Sequence, residues 1–363
     1  MTTEPPLVFT LDAGGTNFVF SAMKKGAFIG DMVRVPAEVT DLDRCLSTLT
    51  SGFKQLEKQL GERPDGISFA FPGPADYQQG IIGDLPNLPG FRGGVALGPY
   101  LEQQFGVPVR INNDGDLFTL GEAKYGFLPH VHTQLKAAGN TKQYQNLIGV
   151  TLGTGFGVGA VINGQLLRGD NGCASEGWLI RNKLFSYTNI EDSVSRRAVK
   201  KMYAEQIAID PSNAPEPSDI YLIAKGEKEG VREAAIETWF RFGDALGDAL
   251  AHLITILDAN VVLGGGLSGA YDQFAGAMIH SLNSTFTALN GKRFPRLIQK
   301  TYDLEQSFSR DQFLAPANTT VTIPGTDRRI PYSNIKKAGI GCSKLGTSKA
   351  VSLGAYSAAL ALT

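Results

Sequence analysis

Three short apolar runs in this chain each stop at a cluster of glycines, and that pattern limits the possible folds more than any other feature. LVFTL (7–11) ends at Asp12-Ala13-Gly14-Gly15-Thr16, NLIGVTL (146–152) at Gly153-Thr154-Gly155-Phe156-Gly157, and NVVL (260–263) at Gly264-Gly265-Gly266. Short, β-branched apolar runs read as buried strands. Adjacent glycines at a strand end let the backbone turn sharply and remove the Cβ atoms that would hold a ligand away. Converging backbone N–H groups at such turns suit phosphate oxygens. An ordinary hairpin turn would also satisfy any one of these sequences, whereas three in one chain are harder to assign to chance. None is a P-loop, because GxxxxGK[ST] does not occur. The chain carries 43 glycines, a share well above the usual ~7%.

A length of 363 residues makes two domains the default, and 42% apolar residues can build a core in each. With 34 basic and 35 acidic residues, the net charge of −1 leaves no electrostatic footprint for nucleic acid or an anionic membrane. Cys45, Cys173 and Cys342 are few, odd in number and far apart, which argues against a disulfide framework or a thiolate metal cluster. The opening MTTEPPLVFTLD is not a signal peptide, and no apolar run is long enough to span a bilayer. A soluble, cytoplasmic protein is expected.

FVFSAMKKGAFIG suits a hairpin at Lys25-Gly26, and helices are expected over 41–60, 95–105, 190–206, 231–257, 346–362 and from 267 to about 287. GISFAF (66–71) and VPVRI (107–111) read as strands, residues 128–145 as a loop, and 318–333 as an exposed hairpin around PGTD. Hairpins mixed with helices suggest two α/β layers rather than a simple alternating array. The turns DAGGT and GTGFG could mark two similar halves.

Asn112-Asn113-Asp114 follows VPVRI. A carboxylate there serves as a general base if it meets a hydroxyl, or as the N-cap of a helix starting near residue 117. Asp12, at the end of the first strand, could hold a hydrated Mg²⁺. Asn87, Glu176 and Glu191 would each be a plain surface residue alone, but such planar polar groups are what fixing the hydroxyls of a hexose requires.

The ordered segments LDAGGTN (11–17), FPGPAD…GIIGDLPNLPGFRG (71–93), INNDGDLFTLGEAKYG (111–126), GVTLGTGFGVGAVINGQLLRG (149–169) and VVLGGGLS (261–268) resemble those of the ROK family of sugar kinases. The resemblance implies a two-domain, actin-like (ribonuclease H-like) ATPase fold with an interdomain cleft. Residues 1–118 plus 346–363 would form one α/β domain and 119–345 the other. It implies ATP-dependent phosphorylation of a hexose, glucose at O6 in first place, with N-acetylglucosamine, N-acetylmannosamine or fructose as alternatives. Asp114 maps to the catalytic base. Asn87, Asn113, Glu176, Glu191 and Gly73 map to sugar contacts. Asp12, Gly14, Gly15, Thr16, Asn17, Thr154, Gly155, Gly265 and Gly266 map to the nucleotide and its Mg²⁺, which Asp12 would hold through water. A homodimer is implied as well.

The segment SEGWLIRNKLFSYTNIEDSVSRRA (175–198) departs from the family pattern, lacking the Gly-His and the CxCGxxGC run of its structural zinc site. No zinc is expected. A sugar-sensing repressor of the same family would carry an N-terminal winged helix, whereas here only six residues precede Leu7 and no basic helix appears. A filament or chaperone ATPase would have no use for the Asn113-Asp114 pair or the NLPG segment.

Overall fold

The computed structural model describes residues 4–13, 17–38, 40–73, 75–85, 88, 90–317 and 319–361. The expected contacts Gly14, Gly15, Thr16 and Asn87 lie outside the described residues. The chain separates into two compact units: unit one holds Met1–Gly126, Gln165–Ala174 and Leu345–Thr363, and unit two holds Phe127–Gly164 and Ser175–Lys344.

Unit one opens with β1 (Val8–Ala13), β2 (Asn17–Lys24) and β3 (Ala27–Pro36), an antiparallel meander whose second turn is Lys25-Gly26, as expected. Helix α1 (Leu42–Leu60) starts where the Asp41 carboxylate accepts the Arg44 N–H at 2.9 Å. The remaining elements before the first crossing are β4 (Gly66–Ala70), β5 (Ala75–Asp76), β6 (Ile81–Ile82), α2 (Leu97–Phe105), β7 (Val109–Asn112) and α3 (Asp114–Lys124). Unit two begins with α4 (Phe127–Ala137), β8 (Leu147–Leu152) and β9 (Phe156–Ile162). The chain returns to unit one for β10 (Gln165–Leu166). Unit two then continues through α5 (Arg196–Gln206), α6 (Pro217–Lys225), α7 (Arg232–Leu257), β11 (Asn260–Gly264) and α8 (Tyr271–Leu282). It finishes with β12 (Thr285–Thr287), β13 (Arg293–Pro295), β14 (Lys300–Asp303), α9 (Ser307–Leu314), β15 (Thr319–Thr322), β16 (Arg329–Tyr332) and β17 (Lys337–Cys342). Helix α10 (Thr347–Leu360) closes unit one.

Strand order in the unit-one sheet is β3-β2-β1-β4-β7, with β1, β4 and β7 parallel. Phe9 lies opposite Ile67 and Ile67 opposite Val109, so the three strands run level and their carboxyl ends share one edge. Strands of unit two run β9-β8-β11-β17-β14, with β8, β11, β17 and β14 parallel and Gly264 opposite Thr151. Ligands of open parallel sheets bind beyond carboxyl ends of this kind.

Each unit also brings two helices into close contact through glycine. A Cβ at Gly121 of α3 would collide with the Ala350 carbonyl of α10, and one at Gly354 of α10 with the Leu117 carbonyl of α3. This close approach explains why the last helix is made of small residues, and it fixes α3 beneath Asn113 and Asp114. Gly243 and Gly247 of α7 meet the carbonyls of Phe274 and Met278 on α8 in the same way.

Several sequence expectations need correction. Residues 128–145 are not all loop: Phe127, Leu128, Val131 and Leu135 form the buried stripe of α4, masked in the sequence by the polar residues between them. The helix expected near 117 starts at Asp114, and the one expected over 190–206 starts at Arg196 after a single tight turn at Ile190–Asp192. The helix placed as far as 287 ends at Leu282, and Thr285–Thr287 pairs with β13 instead. A domain boundary at 118 would cut α3, so unit one keeps the whole helix, and it also holds 165–174, where β10 packs on α3. No helix of the described residues is long and apolar enough to cross a membrane.

Candidate active site

At the carboxyl edge of the unit-one sheet, Asp12 is exposed, whereas the four residues before it in β1, Val8 to Leu11, are all buried. Asn17 opens β2 opposite Pro36. Gly73 follows β4 in an exposed loop that the Tyr77 hydroxyl closes by donating to the Phe71 carbonyl at 3.0 Å. Beyond β7, the N-cap of α3 is Asn113 rather than Asp114. The Asn113 and Asp114 Oδ1 atoms both accept the Gly115 N–H, each at 2.8 Å. Asp114 is exposed, and its second carboxylate oxygen has no donor among the described residues. A carboxylate in this state can accept a proton from a hydroxyl brought to it.

Two further residues here are Asn112, the last residue of β7, and Arg168, which only long-range packing brings near Asp116. Asn112 is fully buried, with both polar side-chain atoms unpartnered among the described residues. Arg168 is half-buried, and burial pulls its guanidinium below the usual value against the opposing pull of Asp116, while Arg110 adds to the lowering. Its role depends on the return of residues 165–174 to unit one, which no local motif announces.

In unit two, β8 and β9 flank the turn Gly153–Gly155. Glu191 is not a free acidic group here. Its Oε2 accepts the Phe156 N–H at 3.0 Å, its Oε1 pairs with Arg197 at 3.2 Å, and a Cβ at residue 155 would lie 2.5 Å from Oε2. From the other side the Arg196 N–H donates to the Gly153 carbonyl at 2.8 Å. Two elements therefore pin the turn while Thr154 stays exposed. Glu176 is exposed as well, and its Oε2 accepts the Trp178 indole N–H at 2.5 Å. The preceding residue, Ser175, holds φ +67°, a left-handed conformation that non-glycine residues adopt at some cost and that clusters at functional sites.

Where the family pattern has zinc ligands, the segment is tied by Asn182, whose amide donates to Ser193 Oγ and the Asn189 carbonyl and accepts from the Leu184 and Phe185 N–H groups. No group of three or more His, Cys, Asp or Glu that could hold a metal ion occurs among the described residues.

A cavity of about 510 Å³ adjoins this turn, lined by Gly153 and Thr154, by Arg196 of α5, by Glu216, Tyr221 and Trp239, and by Gly266 and Gly269 after β11. Gly266 and Gly269 have open space where a side chain would stand. Gly265 does not line the cavity. Its φ of +85° and its contact with the Leu152 carbonyl leave no room for a Cβ, so it serves to seat the turn against β8. Glu216 bonds Arg196 through Nη2 and Nε at 2.5 and 2.9 Å and Lys200 at 2.9 Å, and the Lys200 bond, followed by that of Arg196, holds its carboxyl below the usual value. Trp239 is fully buried, and its indole N–H has no acceptor among the described residues. Arg196, Tyr221 and Trp239 come from three separate helices, which is why no motif revealed them.

Taken with their strand orders, the two units define the two-domain, actin-like ATPase fold. The structure of a hexokinase of the ROK family from Thermus thermophilus shares it, with a TM-score of 0.68 at 20% identity over 98% of this chain and 99% of that one. A model of the ROK family matches residues 8–302, and the chain belongs to that family. It is 29% identical over 238 residues to a glucokinase of Thermotoga maritima, taking in 61% of this chain and 70% of that protein. It is 28% identical over 281 residues to an N-acetyl-D-glucosamine kinase of Photobacterium profundum, covering 72% and 84%. The structure of a glucokinase from Parabacteroides distasonis matches with a TM-score of 0.90 and 49% identity over 100% of this chain and 99% of that one.

Proposed function

We propose that this protein is an ATP-dependent hexose kinase that phosphorylates glucose at O6. The observation that carries the reading is the Asp114 carboxylate, exposed at the carboxyl edge of the unit-one sheet with one oxygen free of protein donors. The 49% identity to a glucokinase along the whole chain supports glucose over N-acetylglucosamine, N-acetylmannosamine and fructose.

Unit one supplies the acceptor chemistry. Asn113, Gly73 and Asn87 are the sugar contacts we assign to unit one, with Arg168 as a further polar group, and Glu176 and Glu191 are those we assign to unit two. Unit two supplies the donor. The cavity beside Gly153 accommodates a nucleotide, with its base over the bare backbone of Gly266 and Gly269. Thr154 and the amides of the turn at Gly153 face the phosphates. Asp12 is a single exposed carboxylate, which fits a Mg²⁺ that keeps most of its waters and binds chiefly through phosphate. That ion would supply charge neutralisation at the phosphoryl oxygens.

In the reaction the O6–H proton passes to Asp114 as O6 forms its bond to the γ-phosphorus, and the bond from that phosphorus to the β–γ bridging oxygen breaks to release ADP. Turn amides take up the developing charge. Base catalysis contributes roughly 10²–10⁴-fold. Asp114→Asn keeps the size of the group and removes the base, so turnover should fall by about that factor while calorimetric glucose binding stays near wild type. Turnover within about threefold of wild type would leave Asp114 as a residue of the helix start only and end this mechanism. Steady-state rates on the four sugars side by side test the choice of substrate.

A further inference from the structure

A second cavity of unit two is larger than the one beside Gly153. It has a volume of about 730 Å³ and lies at the opposite end of the same strands. Asn146, just before β8, Asn260, the first residue of β11, and Lys337, the first residue of β17, all line it. Because β8, β11 and β17 are parallel, this is the amino-terminal edge of the sheet, about one strand length from the glycine turns. Ligand pockets fall in this size range.

Its lining is about half polar and carries a surplus of positive charge. Lys142, Lys336 and Lys337 face a single carboxylate, Asp258, which already accepts from Gln299 at 2.6 Å. Lys337 is committed, donating to the carbonyls of Gln312, Phe313 and Ala315 at the end of α9. Lys142 lies over the Tyr144 ring, and neither it nor Lys336 has an acidic partner among the described residues. The amides of Gln143, Gln145 and Asn163 also line the space, with no side-chain hydrogen bond among the described residues.

Asn260 adds an independent observation. It is 1% exposed, its Oδ1 accepts the Gly339 N–H at 2.7 Å, and its amide nitrogen is buried without an acceptor among the described residues. An unpaired buried donor is costly, so such groups are ordinarily paired. Trp239, orphaned in the same way, lines the proposed nucleotide cavity.

We infer that this cavity is a second ligand site, separate from the kinase site, for a small phosphorylated polyol such as a hexose phosphate. Two ammonium groups without acidic partners match a phosphate dianion. The amides of Gln143, Gln145 and Asn163 match hydroxyls, which offer both donors and acceptors. This assignment rests on the lining alone and stands apart from the kinase reading.

The test is calorimetric titration of the full chain with glucose 6-phosphate, in the presence of excess glucose and a non-hydrolysable ATP analogue so that the kinase site is filled. Parallel titrations use inorganic phosphate and glucose alone. Saturable binding of the sugar phosphate is expected, with inorganic phosphate weaker and glucose alone silent. The double variant K142Q/K336Q should bind at least about tenfold more weakly, the loss of a charged hydrogen bond, while its kinase rate without sugar phosphate is unchanged. No saturable binding, or equal binding by the double variant, overturns the site. Inorganic phosphate binding as tightly as the sugar phosphate overturns the polyol assignment. Should the protein bind neither glucose nor the ATP analogue, the titration still reads this cavity directly.

Discussion

Units one and two are built on one plan and end in different chemistry. In each, a hairpin pairs antiparallel, β1 with β2 and β8 with β9, and its first strand continues into parallel neighbours, β4 and β7 or β11 and β17. Each holds a helix pair together by seating glycine on a facing carbonyl, α3 on α10 and α7 on α8. The contents differ. Unit one packs an aromatic cluster in which Phe53 touches the rings of Phe9, Phe20, Phe69 and Phe105, whereas unit two sets a smaller group, Trp239 with Phe242 and Phe274, in a core chiefly of aliphatic residues and alanines. At the carboxyl edges, unit one presents Asp12 and Asp114, with Asp116 beside Arg168, while unit two presents bare glycine backbone and a pinned turn. A common scaffold can thus place two edges while the residues after each strand decide that one carries carboxylates and the other bare glycine backbone.

The largest effect expected from breaking this comparison is in the cores. Phe53→Ala should cost about 3–5 kcal/mol, because the surrounding rings cannot all close on the space. Both tryptophans, Trp178 and Trp239, lie in unit two. In urea, therefore, the circular-dichroism transition of the variant should move further than its tryptophan-fluorescence transition. Equal shifts would mean that the two cores melt as one.

Next in size is Glu191→Gln, which trades a carboxylate on the Phe156 N–H and on Arg197 for a neutral amide. Loss of charge-assisted bonds of this kind is worth about 1.5–3 kcal/mol, so KM for ATP and for the sugar should both rise about tenfold or more. A change in the sugar term alone would show that Glu191 contacts the sugar without holding the turn. A smaller effect is expected from Trp239→Phe, since its indole N–H has no acceptor among the described residues to lose: less than about 1.5 kcal/mol of stability, with a measurable rise in KM for ATP. Unchanged nucleotide affinity would separate Trp239 from the base-binding cavity.

Smallest is the pH effect of Glu216, a partly exposed carboxylate at the cavity rim. Its folded value is depressed by Lys200 and then Arg196. The stabilisation is therefore present above the ordinary carboxylate range and is lost as pH falls through the folded value. Thermal melts of wild type and Glu216→Gln should differ slightly at neutral pH and converge in acid. A gap that widens in acid would contradict the sign.

Much of the fold was legible because it lies in local pattern. The strand-to-glycine junctions, the Lys25-Gly26 hairpin and the stripe of α7 each need only neighbouring residues to be read. What escaped depends on distant contacts. α4 was hidden because its buried stripe is interrupted by His130, His132 and other polar residues. The return of 165–174 to unit one, and with it Arg168, is decided by packing on α3. At the candidate site, Asp114 and the turn at Gly153 are visible in the chain, but the exchange of N-cap role to Asn113 is set by helix geometry. Likewise, the seating of Glu191 on the Phe156 N–H joins residues 35 apart.

The division of labour between the two edges is tested most directly by hydrogen exchange with each ligand added separately. A non-hydrolysable ATP analogue alone should slow exchange in peptides covering 153–157 and 266–270, and glucose alone should slow it in peptides covering 113–118. Protection of 113–118 by the nucleotide alone, with 153–157 and 266–270 left unchanged, would contradict the account.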